Sequence, residues 1–139
     1  MPIKRIGVLT SGGDAPGMNA AIRGVVRAGL ARKMEVFGIF RGYSGLLNEE
    51  IKQFSHRSVS NIINRGGTIL KTSRCPEFMT AEGQRKAAEV IKSHSIDGLI
   101  VIGGDGSYRG ARILSHDWKI PCIGMPGTID NDLNGTEHT

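Results

Sequence analysis

Three features of the sequence predict an α/β fold with a mainly parallel sheet. Strand-like and helical segments alternate along the 139 residues. The run Leu99-Ile100-Val101-Ile102 is short and apolar without interruption, as expected of a central parallel strand covered on both faces. Each glycine-rich or acidic loop follows a strand, so these loops gather at one edge, beyond the strands' carboxyl ends, where such sheets hold ligands. The expected architecture is a Rossmann-like three-layer sandwich.

Arg5 to Leu9 reads as the first buried strand, and Thr10 to Gly17 as a loop. From Met18 the apolar residues Met18, Ile22, Val25, Val26 and Leu30 follow helical spacing, with Arg23 and Arg27 one turn apart and largely off that face. Glu35 to Phe40 is the second strand. A short helix is expected over Ser58 to Asn64, ended by Gly66-Gly67. Thr80 is placed to cap a helix running to His94. Leu99 to Ile102 is the central strand, Ser107 to Ser115 the next helix with Ser107 at its start, and Pro121 to Met125 a strand that enters the loop Pro126 to Asp132.

Composition bounds the function classes. A chain of this length builds one domain with a core, and 39% apolar residues is ordinary for a soluble globular protein. No stretch is apolar enough to span a bilayer. Met1-Pro2-Ile3-Lys4-Arg5 runs directly into the first strand, leaving no room for a signal peptide. Cys75 and Cys122 fit reduced thiols of a cytoplasmic protein rather than a disulfide framework. The net charge of +5 suits anionic ligands but equally fits a basic part of a longer balanced protein. Tyr108 and Trp118 are isolated, with no aromatic platform for nucleic acid. The four histidines show no metal-ligand spacing. Twenty glycines, without a repeat, point to tight turns and close backbone approaches to a ligand.

Three loops carry the candidate chemistry. Ser11-Gly12-Gly13-Asp14 leaves a strand and leads into a helix, where amides and the helix dipole favour phosphate. It matches neither the P-loop nor the dinucleotide fingerprint, and a tight turn would look alike. Gly103-Gly104-Asp105-Gly106-Ser107 sets one carboxylate among small residues, which suits Mg²⁺ shared with a polyphosphate. Local capping by Asp105 and Ser107 is the plainer reading. Thr128-Ile129-Asp130-Asn131-Asp132 places two carboxylates two residues apart beyond a strand. Asp130 there can accept a hydroxyl proton, and Asp132 can order the metal's water shell or restrain a neighbouring cation. An Asx-rich turn competes with that reading. Arg74 offers a planar fork of donors to a transferred phosphoryl group, or is a solvated loop arginine. Cys75 reads as a packing or ligand-lining residue and Cys122 as core.

These loops, in this order, resemble the N-terminal part of the bacterial ATP-dependent 6-phosphofructokinase family. The matching pieces are Gly7 to Arg23, Asn64 to Thr68, Arg74 to Phe78, Gly103 to Ser107 and Pro126 to Asp132. The resemblance implies Mg²⁺-assisted transfer of phosphoryl from ATP to D-fructose 6-phosphate, giving fructose 1,6-bisphosphate in glycolysis. It implies that Gly12, Tyr43, Arg74, Cys75, Gly104, Gly106 and Ser107 line ATP and that Asp105 serves the metal. It also implies that Thr128, Ile129 and Asp130 meet the sugar phosphate, with Asp130 as base and Thr128, Asp132 and Arg74 in support.

Pyrophosphate-dependent relatives usually carry Asp at the position of Gly106 and Lys at that of Gly127, so glycine at both resembles the ATP type. Arg23 and Arg27 match arginines that hold effector phosphates between subunits of a homotetramer. Asn61 and His56 stand where relatives often have Asp and Arg, which leaves the ADP and phosphoenolpyruvate responses open. The family chain is more than twice as long and two-domained. Residues 1–139 are therefore expected to be its N-terminal ATP-binding domain, without the second, substrate and effector domain, and inactive alone. The competing readings are a pyrophosphate-dependent enzyme and a nucleotide-binding module without catalysis.

Overall fold

The computed structural model describes residues 3–12, 18–60, 68–73 and 75–126, with Asp105 described by its backbone alone. Five strands form one sheet in the order β3-β2-β1-β4-β5: β1 (Arg5–Thr10), β2 (Glu35–Ile39), β3 (Ile51–Phe54), β4 (Gly98–Gly103) and β5 (Cys122–Pro126). All neighbours are parallel except β2 and β3. The helices are α1 (Met18–Ala31), α2 (Gly42–Leu47), α3 (Ala81–Ser93) and α4 (Asp105–Trp118). The mainly parallel α/β expectation holds.

Alternation along the strands sorts two cores onto the two faces of the sheet. Ile6, Val8, Val36 and Ile102 meet Met18, Ile22, Val25 and Val26 of α1. Leu9, Phe37, Ile39, Leu99 and Val101 meet α2, α3 and α4 on the other face. Among the described residues, α1 therefore lies on one face and α2, α3 and α4 on the other.

Local chemistry explains the element ends. Thr80 caps α3 as its position suggests: its Oγ1 accepts the Gly83 amide at 3.0 Å. Lys119 ends α4 in the left-handed region at φ 58°. Asp97 ties the start of β1 to the α3–β4 turn by accepting the Lys4 and Arg5 amides at 2.8 and 3.0 Å. Those two amides hold its carboxyl below the usual carboxylate range.

Two elements differ from expectation. The Ser58 to Asn64 helix is replaced, as far as Ser60, by a 3-10 turn over His56–Val59. The Ser55 amide donates to Ser58 Oγ at 2.9 Å, which starts the turn early, and Ser60 leaves it extended. Residues 61–67 lie outside the described residues. α4 begins at Asp105, with Gly104 as N-cap, so Ser107 is its third residue and not its cap. Among the described residues no helix is long and apolar enough to cross a membrane.

Candidate functional site

The chain runs from β1 through α1 to β2 in one direction across the sheet, and from β4 through α4 to β5 in the other. β1 and β4 are neighbours, in register from Ile6↔Gly98 to Thr10↔Ile102. The topological switch point thus falls between their carboxyl ends, where the first two glycine loops emerge. The third loop starts at the same edge, because Pro126 pairs with Gly103.

At Gly103 the crevice is packed too tightly for a larger residue. A Cβ on Gly103 would lie 2.3 Å from Ser107 Oγ and 2.6 Å from the Ser11 carbonyl oxygen. Ser11 closes the junction by donating its amide to the Ile102 carbonyl at 2.9 Å. Gly12 turns away at φ +88°, a left-handed conformation that favours glycine, with its Cβ position 3.9 Å from Ser107 Oγ. The β1 loop therefore sits directly on the first turn of α4. Gly104 has no side chain with which to cap that turn, so the first amides of α4 receive no side-chain hydrogen bond from their own N-cap. Gly106, in the same turn, is exposed, with nothing within 4 Å of where a Cβ would stand.

Beneath this turn lies Tyr43 of α2. Its hydroxyl donates to the Ser107 carbonyl at 2.7 Å, and its ring stacks on Phe78 with centroids 4.1 Å apart and planes 11° from parallel. Burial, chiefly, pushes the phenol well above the ordinary tyrosine range, with the Cys122 charge adding to it. Tyr43 thus stays a neutral donor. Cys75 accepts the Phe78 amide through its carbonyl at 3.1 Å and packs half-buried on the same core. Cys122 is likewise half-buried against that core, and burial raises its thiol to about 11. Tyr43→Phe should lower stability by about 1 kcal/mol in urea denaturation, because it removes the buried bond and keeps the ring stack. An unchanged midpoint would show that the bond carries no net stability.

The segment from Thr68 to Lys71 is bound to the same edge by hydrogen bonds that sequence pattern does not reveal. Thr10, fully buried, bonds Thr68 Oγ1 at 3.0 Å and donates to the Lys71 carbonyl at 3.0 Å. Asn19 accepts the Ile69 amide at 2.7 Å. Leu70 accepts the Arg41 amide at 2.8 Å. A polar residue closing an apolar strand was the one signal available for Thr10.

The fold brings Gly12, Gly104, Ser107 and Tyr43 together, with Gly106 on the open side of the same turn and Cys75 linked through Phe78. Arg23, half-buried, and Arg27, exposed, belong to α1 on the opposite face, where α1 packs against the His56–Val59 turn. Asn61, Arg74, Gly127, Thr128, Ile129, Asp130 and Asp132 lie outside the described residues, as does the Asp105 side chain. Among the described residues no group of three or more His, Cys, Asp or Glu side chains could hold a metal.

Similarity to known proteins agrees with this layout. The family model described as Phosphofructokinase matches residues 5–139. An ATP-dependent 6-phosphofructokinase of Haemophilus influenzae is 61% identical over 137 residues, which are 99% of this chain and 43% of that relative. The phosphofructokinase structure from Saccharomyces cerevisiae superposes with a TM-score of 0.94 at 39% identity, over 98% of this chain and 21% of that one. A pyrophosphate-dependent phosphofructokinase structure from Marinobacter aquaeolei gives 0.81 at 26%, over 96% and 36%. The chain therefore spans less than half the length of the curated relative it matches. With the family model covering all five strands and the glycine loops at their carboxyl ends, the chain belongs to the phosphofructokinase family.

Proposed function

We propose that residues 1–139 are the N-terminal ATP-binding domain of a longer enzyme. That enzyme phosphorylates fructose 6-phosphate at its 1-hydroxyl with ATP, yielding fructose 1,6-bisphosphate. The observation that carries this reading is that three strands end at one sheet edge: β1 before Gly12, β4 at Gly103 and β5 at Pro126. Phosphoryl transfer depends mostly on positioning and charge stabilisation, and this edge offers both. The first-turn amides of α4 and the glycine backbone of the β1 loop hold phosphate oxygens. Tyr43 and Phe78 brace the turn from below, so that Ser107 and Gly104 keep their places. Cys75 and Arg74 line the nucleotide.

One carboxylate in a phosphate site fits Mg²⁺, which prefers one or two carboxylates with phosphate and water oxygens and needs no protein cage. Asp105 is the residue to hold it, through its place at the head of α4. When bound, the metal neutralises charge on the phosphates. Asp130 takes the proton of the sugar hydroxyl, Asp132 would order the metal's water shell or restrain a neighbouring cation, and Thr128 and Ile129 contact the sugar phosphate. Arg23, Arg27 and Asn61 serve an anionic effector such as ADP or phosphoenolpyruvate between subunits of a homotetramer.

Open space at Gly106 and higher identity to an ATP-dependent relative favour ATP over pyrophosphate. A coupled assay on the full-length protein, with each donor in turn, tests this. Turnover is expected with ATP and little with pyrophosphate, while the purified 139-residue chain should show almost none. Preference for pyrophosphate would overturn the donor assignment. Turnover by the short chain would overturn the need for a second domain.

A further inference from the structure

Thr10 is the last residue of β1 and is fully buried. It shares a face of the sheet with Ile6 and Val8, which pack against the apolar side chains of α1. Valine would suit that position as well, so packing alone does not explain the hydroxyl. A threonine hydroxyl has one proton to give. Thr10 Oγ1 lies 3.0 Å from the Lys71 carbonyl oxygen, which can only accept, so Thr10 donates there. Thr68 Oγ1, also at 3.0 Å, then donates to Thr10. Thr68 in turn accepts the Leu70 amide at 3.1 Å. The bonds run one way, from Leu70 through Thr68 and Thr10 to Lys71, and such a chain strengthens its members. It closes the Thr68–Lys71 turn onto the end of β1.

This turn joins three pieces of chain. Thr10 stands two residues before Gly12. Lys71 stands four before Cys75, whose carbonyl accepts the amide of Phe78, the ring stacked on Tyr43. The Leu70 carbonyl accepts the Arg41 amide at 2.8 Å, two residues before Tyr43. We infer that Thr10 is a positioning residue for the nucleotide: its hydroxyl fixes the segment leading to Arg74 and Cys75 against the Gly12 loop. Thr10 acts through these neighbours and touches no substrate. The inference rests on the reading of this edge as an ATP site.

Steady-state kinetics of the full-length enzyme test it. Thr10→Val keeps the shape and removes the hydroxyl. It should raise the KM for ATP by about 10-fold or more, with the KM for fructose 6-phosphate within about twofold of the parent's. Thr10→Ser restores the hydroxyl and should bring the KM for ATP back to within about threefold. A hydroxyl that serves the fold alone would lower the melting temperature and the active fraction while the folded molecules kept their KM. That result would overturn the inference. The double variant with Thr68→Val should raise the KM no further than Thr10→Val does, because both side chains act through one bond. Additive losses would overturn it too. Should Thr10→Val not fold, Thr68→Val at a half-buried position carries the same test, and an unchanged KM for ATP there would be equally decisive against it. If the parent enzyme itself fails to use ATP, the ATP-site reading falls, and this inference with it.

Discussion

Asp130→Ala in the full-length enzyme should lower kcat by roughly 10²-fold or more, with ATP affinity nearly unchanged. An alcohol attacks phosphorus poorly while it keeps its proton, and a carboxylate within hydrogen-bond reach removes that proton as the new bond forms. The sheet register supports this role. Pro126 lies opposite Gly103, so the chain entering the Asp130 loop starts beside the turn that leads to Asp105. Asp132 follows two residues on in the same loop. Rapid-quench turnover and equilibrium ATP binding should therefore separate. The rate falls and the binding stays. If both decline together, Asp130 holds the nucleotide or the fold and is no base. If the rate falls less than about 10-fold, another group takes the proton. Asp130→Asn, which keeps the shape, should lose as much as alanine does.

Much of the fold was legible because its signals are local. β1, α1, β2, α3, β4 and β5 follow from apolar runs, helical spacing and the Thr80 cap. α2 was not legible. Gly42-Tyr43-Ser44-Gly45-Leu46-Leu47 contains two glycines and has weak helical preference, yet Tyr43, Leu46 and Leu47 are buried in the core and hold it helical. β3 escaped for a similar reason. Its burial runs half-buried, exposed, exposed, buried over Ile51 to Phe54, without the alternation that marks a strand, and it turns antiparallel to β2. At the site, the glycine loops could be read from sequence because glycine there answers to close backbone approach. The partners that fix them could not. The Tyr43–Phe78 stack and the Thr10 bonds to Thr68 and Lys71 join residues 35, 58 and 61 positions apart, and no local pattern encodes such pairs. The Ser107 reading failed by two residues because Gly104, with no capping side chain, nevertheless accepts the first helical bond from the Tyr108 amide at 3.0 Å.

Gly106→Asp should raise the KM for ATP by an order of magnitude or more while the protein stays folded. The site is unusual in separating these effects. Nothing lies within 4 Å of the Cβ position, so the side chain enters open space without displacing its surroundings. Glycine within a helix costs about 1 kcal/mol relative to alanine, and an acid in the first turn gains about 0.3–1 kcal/mol from the helix dipole. The melting temperature should therefore hold or rise. The same carboxylate would face the phosphate chain of ATP, where like charges brought side by side cost several kcal/mol, each 1.4 kcal/mol being a factor of ten. Pyrophosphate, which has no nucleoside to place beyond that point, should be affected less, so the ratio of the two donors' kcat/KM shifts towards pyrophosphate. Thermal melting together with donor kinetics reads all three outcomes. A lower melting temperature with equal loss for both donors would mean that Gly106 serves the helix and not the nucleotide. An unchanged KM for ATP would place the phosphates elsewhere, and with them the role given to the first turn of α4.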